Sequence, residues 1–163
     1  LRARMGGARP FDAEGLPTAE RALVEGGVLQ GWVLDLATAR KLGLESTADA
    51  RRSPGAPPSP GAGSVALTQG TASRADLIAD MGTGLLVTQL LGSTINPNTG
   101  DYSRGAAGFW VENGAIAYPV NECTIAGSLP DMLRRIVPAN DADPHRASQV
   151  PSLLVEGLTV AGA

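Results

Sequence analysis

The chain has 163 residues, 43% of them apolar, and its 13 Lys and Arg against 16 Asp and Glu give a net charge of −3. That size supports a single domain over residues 1–163 with a sizeable core. The charge balance excludes direct nucleic-acid binding through a basic stripe, and no apolar run reaches the ~20 residues that cross a bilayer.

Leu1 begins the sequence and Met5 is its first Met, which predicts a processed piece of a longer protein. No basic start leads into an apolar run, so no secretion signal is read. The single Cys123 rules out an internal disulfide and fits a reducing cytoplasm. Gly (21) and Pro (12) make up about a fifth of the chain, which predicts short strands and many turns rather than a helical bundle.

In chain order, the stretch from Leu1 to Thr18 is a turn-rich lead-in loop, with Asp12 and Glu14 as acidic residues that pin it. "RALVEGGVLQGWV" alternates around Glu25-Gly26-Gly27 and predicts a hairpin. "DLATARKLGL" predicts a short helix capped by Asp35 and stopped by Gly43. Residues 51–63 hold four prolines and three glycines, which sustain neither helix nor central strand, so a flexible Pro/Gly-rich loop is expected.

"SVALTQG" is strand-like, and "SRADLIADMG" is a helix capped by Ser73, with Asp76 in its first turn. "GLLVTQLLG" has the composition of a buried strand. "GAAGFWVENGAIAYPV" is the clearest hairpin, turning at Asn113-Gly114. "ECTIAG" is a further strand, "SLPDMLRRIV" a helix with Ser128 as its N-cap, and "SLLVEGLTVAG" one or two closing strands. Roughly eight short strands joined by hairpins, with about three short helices, predict an α+β fold with a mainly antiparallel sheet.

Chemistry is scarce. A zinc site needs three or four ligands, and the sequence offers one His (His145, in a polar loop) and one Cys (Cys123). No Gly-x-Ser-x-Gly elbow and no phosphate-binding Lys-Ser/Thr loop is present. Neither a catalytic residue nor a metal ligand is assigned. The segment "NPNTGDYSRGAAGFWVENGAIAYPV" looks most like a site. Asp101 and Arg104, three apart in a Gly-bounded loop, are read as an ion pair that pins it, with a ligand contact as the alternative. Phe109, Trp110 and Tyr118 are read as anchors of the hairpin. Phe109 is expected to pack inside and Trp110 to lie partly covered on an interface side.

The words "GDYSRGAAGFWVENGAIAYPVNECTIAGSLPDMLRRIV", with "RPFDAEGLPT" before and "VEGLTVAG" after, resemble the C-terminal region of the PmbA (TldE) proteins of the TldD/PmbA family, also labelled modulators of DNA gyrase. The likeness runs from Arg9 to Gly162. It implies the C-terminal domain of a longer protein, associated with zinc-dependent cleavage of unfolded peptides by a TldD–TldE pair. It implies a TldD-like subunit or a second copy as partner, an extended peptide as the substrate of the complex, and zinc on the TldD-like partner. The metal-binding helix of TldD-type members lies upstream of this region. Where they carry a C-terminal Cys ligand this sequence has Val150 or Pro151, and Cys123 is not that ligand. The chain alone is expected to be inactive, and a non-enzymatic structural or regulatory module is the rival reading.

Overall fold

The computed structural model describes residues 7–162, leaving aside the side chains of residues 93 and 94. The part of the lead-in loop before residue 7 lies outside the described residues. In chain order the elements are β1 (Val24–Glu25), β2 (Val28–Leu29), α1 (Leu36–Leu42), β3 (Ala50–Arg51), β4 (Ser59–Pro60), β5 (Val65–Ala66), α2 (Arg74–Met81), β6 (Gly84–Ile95), β7 (Asp101–Glu112), β8 (Ala115–Ser128), α3 (Leu129–Arg134), β9 (Ile136–Pro138), β10 (Ser148–Gln149), β11 (Leu153–Val155) and β12 (Thr159–Ala161). The fold is α+β. Every strand pair is antiparallel except β5 with β10.

These elements form two compact units, one of residues up to 67 with 143–149 and one of residues 68–142 with 150 onward. In the first unit, Asp35 caps α1 by accepting from the Thr38 N–H at 2.7 Å, and Gly43 ends the helix at φ 67°. That is the cap pair its sequence predicts. Asp12, only 7% exposed, accepts from the N–H groups of Glu14, Leu16 and Ala50 at 2.9, 2.9 and 3.1 Å. Glu14 accepts from the Leu36 N–H at 2.8 Å, at the start of α1. The two carboxylates therefore fasten loop to helix and strand. Residues 51–63 are not a bare loop: Arg51 pairs with Ser59 across the β3–β4 ladder, and its guanidinium donates to the Gly63 carbonyl at 2.7 Å.

The second unit is built on a four-stranded sheet in the order β12-β8-β7-β6. Three of its strands, β6, β7 and β8, are longer than expected at 12, 12 and 14 residues, because β7 begins at Asp101 rather than near Gly105 and β8 runs through to Ser128, while β12 is short. Ala106, Cys123 and Ile125 form the buried cluster on one face, with Leu85, Val87, Tyr102 and Val120 packed against them. β6 is the edge strand of this sheet and not a buried one, and its Leu90, Leu91 and Ile95 are exposed. Helix α2 begins with the predicted capping box, in which Ser73 and Asp76 bond each other's backbone N–H. Ser128 stands at the N-cap of α3 but makes no side-chain cap bond. The Leu129 N–H donates instead to the Gly100 carbonyl at 2.8 Å.

Candidate functional site

The segment singled out from the sequence folds as the loop 96–100 followed by the β7–β8 hairpin. The hairpin turn is as predicted. Asn113 (φ 50°) and Gly114 (φ 74°) both take left-handed backbone, as a two-residue hairpin turn demands, and Glu112 pairs with Ala115 across it.

Phe109 is placed differently from the expectation. Trp110 pairs with Leu85 on one side and Tyr118 on the other, which puts it on the face of the buried cluster, and it is half-buried. Phe109 pairs with Leu86 and Pro119 on the opposite face and is 38% exposed, so it does not pack inside. Val111 takes that role at 0% exposure. An irregularity between Trp110 and Val111 shifts the register, setting Val111 opposite Ile116 and leaving Tyr118 beside Trp110, 49% exposed.

The Asp101–Arg104 ion pair is not formed. Both residues lie within strand β7, where a separation of three sends the side chains to opposite faces. The Asp101 carboxylate accepts from the Thr99 hydroxyl at 2.6 Å. Asn96 completes the fastening: its side-chain oxygen accepts from the Asn98 N–H at 3.0 Å, and its carbonyl accepts from the Gly100 N–H at 2.8 Å. The loop is thus held by Asn96, Thr99 and Asp101, and the sequence reading missed the first two. An Asx residue three before a Thr in a Gly-ended turn is the local signal that marks them. Arg104 points the other way. It pairs with Ile125 on the clustered face, is half-buried, and its Nε has no hydrogen-bond partner.

The donor set does not fit a zinc ion. Among the described residues no group of three or more His, Cys, Asp or Glu is disposed to hold a metal. Cys123 is 1% exposed and its thiol donates to the Ala106 carbonyl at 3.0 Å. His145 lies in an exposed loop of the first unit, where its N–H and the Arg146 guanidinium both donate to Asp143. Hydrogen bonding chiefly from the His145 N–H holds the Asp143 carboxyl below its ordinary range. Asp141, in the second unit, is lowered by bonds from Ser152. Both carboxylates order loops.

Comparison with known proteins agrees with this architecture. The family model of the PmbA/TldA metallopeptidase C-terminal domain matches residues 1–162. The "Metalloprotease PmbA" of Escherichia coli O157:H7 is 45% identical over 94% of this chain and 32% of its own length. A Bacteroides thetaiotaomicron structure, labelled a candidate modulator of DNA gyrase, matches with a TM-score of 0.84 at 33% identity, covering 97% of this chain and 34% of that one. TldE from Thermococcus kodakarensis matches with a TM-score of 0.84 at 28% identity, over 94% of this chain and 36% of that one. The chain spans about a third of the length of the curated relatives it matches. By fold and by sequence over nearly its whole length, it belongs to the PmbA/TldD metallopeptidase family and is the C-terminal domain of that family.

Proposed function

We propose that the parent protein is the metal-free, TldE-like subunit of a TldD-type zinc peptidase, and that this domain helps hold an extended peptide for cleavage on the partner. One observation carries the reading: within a metallopeptidase family, the described residues of this chain present an open sheet edge. That edge, β6, spells "GLLVTQLLGSTI", without a charge or a proline to blunt it. Natural edges are normally protected by charges, prolines or short strands. The pairing of β6 with β7 shifts register between Val87 and Gln89 and between Leu91 and Thr94, and the regular stretches on either side of those shifts can take an added strand, whose main-chain hydrogen bonds bind peptide largely without regard to sequence. Zinc would supply the activated water from the other subunit, and no step of that chemistry is assigned to residues of this chain.

The test is reconstitution. Full-length protein and a TldD-type subunit are expected to co-purify and to cleave an unfolded peptide only when mixed, with activity lost to a chelator. A mixture as inactive as either part would favour the second reading, a regulatory interaction module. The gyrase-modulator label of the Bacteroides relative is what supports that alternative.

A further inference from the structure

The first unit opens an apolar groove of about 420 Å³ to solvent. Its floor is the buried Leu34, and Leu29, Trp32 and Leu44 wall it, each at least half exposed. Val24 pairs with Leu29 across the β1–β2 ladder and continues the same apolar surface, exposed as well. Together these side chains present on the order of 300 Å² of apolar area, the size of the largest patch on an ordinary monomer and one that is often functional. The frame beneath is fixed. The Arg21 guanidinium donates to the Trp32 carbonyl at 2.9 Å and pairs with Asp49, and the Leu34 N–H donates to the Thr47 hydroxyl at 2.8 Å. The Gln30 N–H closes the hairpin base on the Leu23 carbonyl at 2.9 Å. An indole 60% exposed on a held backbone loses little freedom when it is covered, which suits it to anchor an interface.

We propose that this groove is the seat of the parent's own upstream region, which places an aliphatic or aromatic side chain in it. The matching domain is the C-terminal one of its family and makes up 32% of the Escherichia coli relative, so most of such a parent precedes it. That length joins the domain through the lead-in loop, and the loop is fastened beside the groove. The Glu14 carboxylate accepts from the Leu36 N–H, two residues past the groove floor, and Asp12 accepts from the Ala50 N–H. A segment tethered there meets the groove at a roughly millimolar effective concentration.

Two considerations favour this occupant over a second subunit. A bare apolar groove is a liability to a monomer between encounters, whereas a covalently joined segment covers it as soon as the chain has folded. The size also fits. Slightly over half of an interface is apolar, so the patch serves an interface of about 600 Å², the lower end for neighbours within one chain. A stable pair of subunits covers about 800 Å² on each side.

The inference does not rest on the peptidase reading, and its test needs no cleavage assay. The full-length parent is purified alone, and its Trp32 is footprinted with hydroxyl radicals and mass spectrometry. Labelling ~5-fold or more slower than in denaturant is expected, unchanged on dilution, because a covered anchor is shut off from water. A smaller effect overturns the proposal and leaves the groove open for a second protein. Protection that fades on dilution also overturns it, and assigns the groove to a second copy. Two variants identify the occupant, with a photo-crosslinking phenylalanine analogue in place of Leu44 or of Val24. Adducts to residues upstream of this domain are expected, in protein that still runs as a monomer under denaturing conditions. Upstream adducts from neither variant, or adducts that join two chains, overturn the proposal. The footprint of the unmodified parent stands even if a variant fails to fold.

Discussion

The backbone N–H of Gly114 donates to the carbonyl of Gly82 at 2.8 Å, so the turn of the central hairpin is tied to the residue that ends helix α2. A Cβ on Gly114 would lie 3.0 Å from both the Cα and the carbonyl oxygen of Ala79, on a residue held at φ +74°. Gly114→Ala is therefore expected to destabilise the protein by about 1–3 kcal/mol, from backbone strain and displaced helix together. Asn113→Gly, at φ 50°, is expected to stay within about 0.5 kcal/mol of wild type. Urea melts of the two variants check the contrast, and equal effects would show that the turn is not docked.

Val111 and Ile116 face each other across the hairpin, yet the first is 0% and the second 54% exposed. Val111→Ala is expected to cost about 2 kcal/mol and Ile116→Ala under about 1 kcal/mol, although the second removes more carbon. The same melts decide it, and a larger loss at Ile116 would place the core on the wrong residue.

Asp12 gives a pH dependence. Burial pushes its carboxyl up, but the bonds from Leu16, Ala50, Glu14 and Gly15 outweigh that and hold it below its ordinary range. A carboxyl depressed in the folded state contributes stability that is fully present above the unfolded value near 4 and is lost as pH falls through the folded value. Asp12→Asn is expected to lose about 1–3 kcal/mol at pH 7. It is also expected to show a flatter decline than wild type below about pH 4. Stability measured from pH 7 to pH 3 tests both parts, and parallel acid limbs would remove Asp12 as the source.

Cys123 reports on opening of the sheet. At 1% exposure, with its thiol bonded to the Ala106 carbonyl, it is expected to resist a thiol reagent in the native protein and to react fully in strong denaturant. Between those limits the labelling rate follows the free energy of opening β7 from β8. Rapid native labelling would contradict its burial.

Features fixed by a few neighbouring residues were legible in the sequence. Asp35 and Ser73 cap helices because a side chain three residues away can reach the backbone. Asn113-Gly114 turns because those residues tolerate left-handed backbone. What depended on partners distant in sequence was not legible. Whether β6 is an edge, whether Phe109 or Val111 is covered, and where the ladder shifts register are set by which strands lie alongside. Ser128 resembles a cap in sequence, but the carbonyl that satisfies Leu129 comes from Gly100. Asp101 and Arg104 were read as loop neighbours. Once they are strand residues, pleating separates them.

The parallel pairing of β5 with β10 joins Val65 to Ser148. The first unit is thus interrupted in sequence by most of the second and closed by a strand that arrives about eighty residues later, at a modest entropic cost for so long a loop. Neither unit can be cut out as one continuous fragment. On the ribosome the first unit must wait, unfinished, while β6, β7 and β8 emerge and find one another, and only then does its last strand appear. Synthesis therefore lets β6, β7 and β8 pair before β10 appears, while β12, the remaining strand of their sheet, emerges only after it. Evolution faces the same constraint, because two bodies threaded in this way are gained, lost and recombined as one piece.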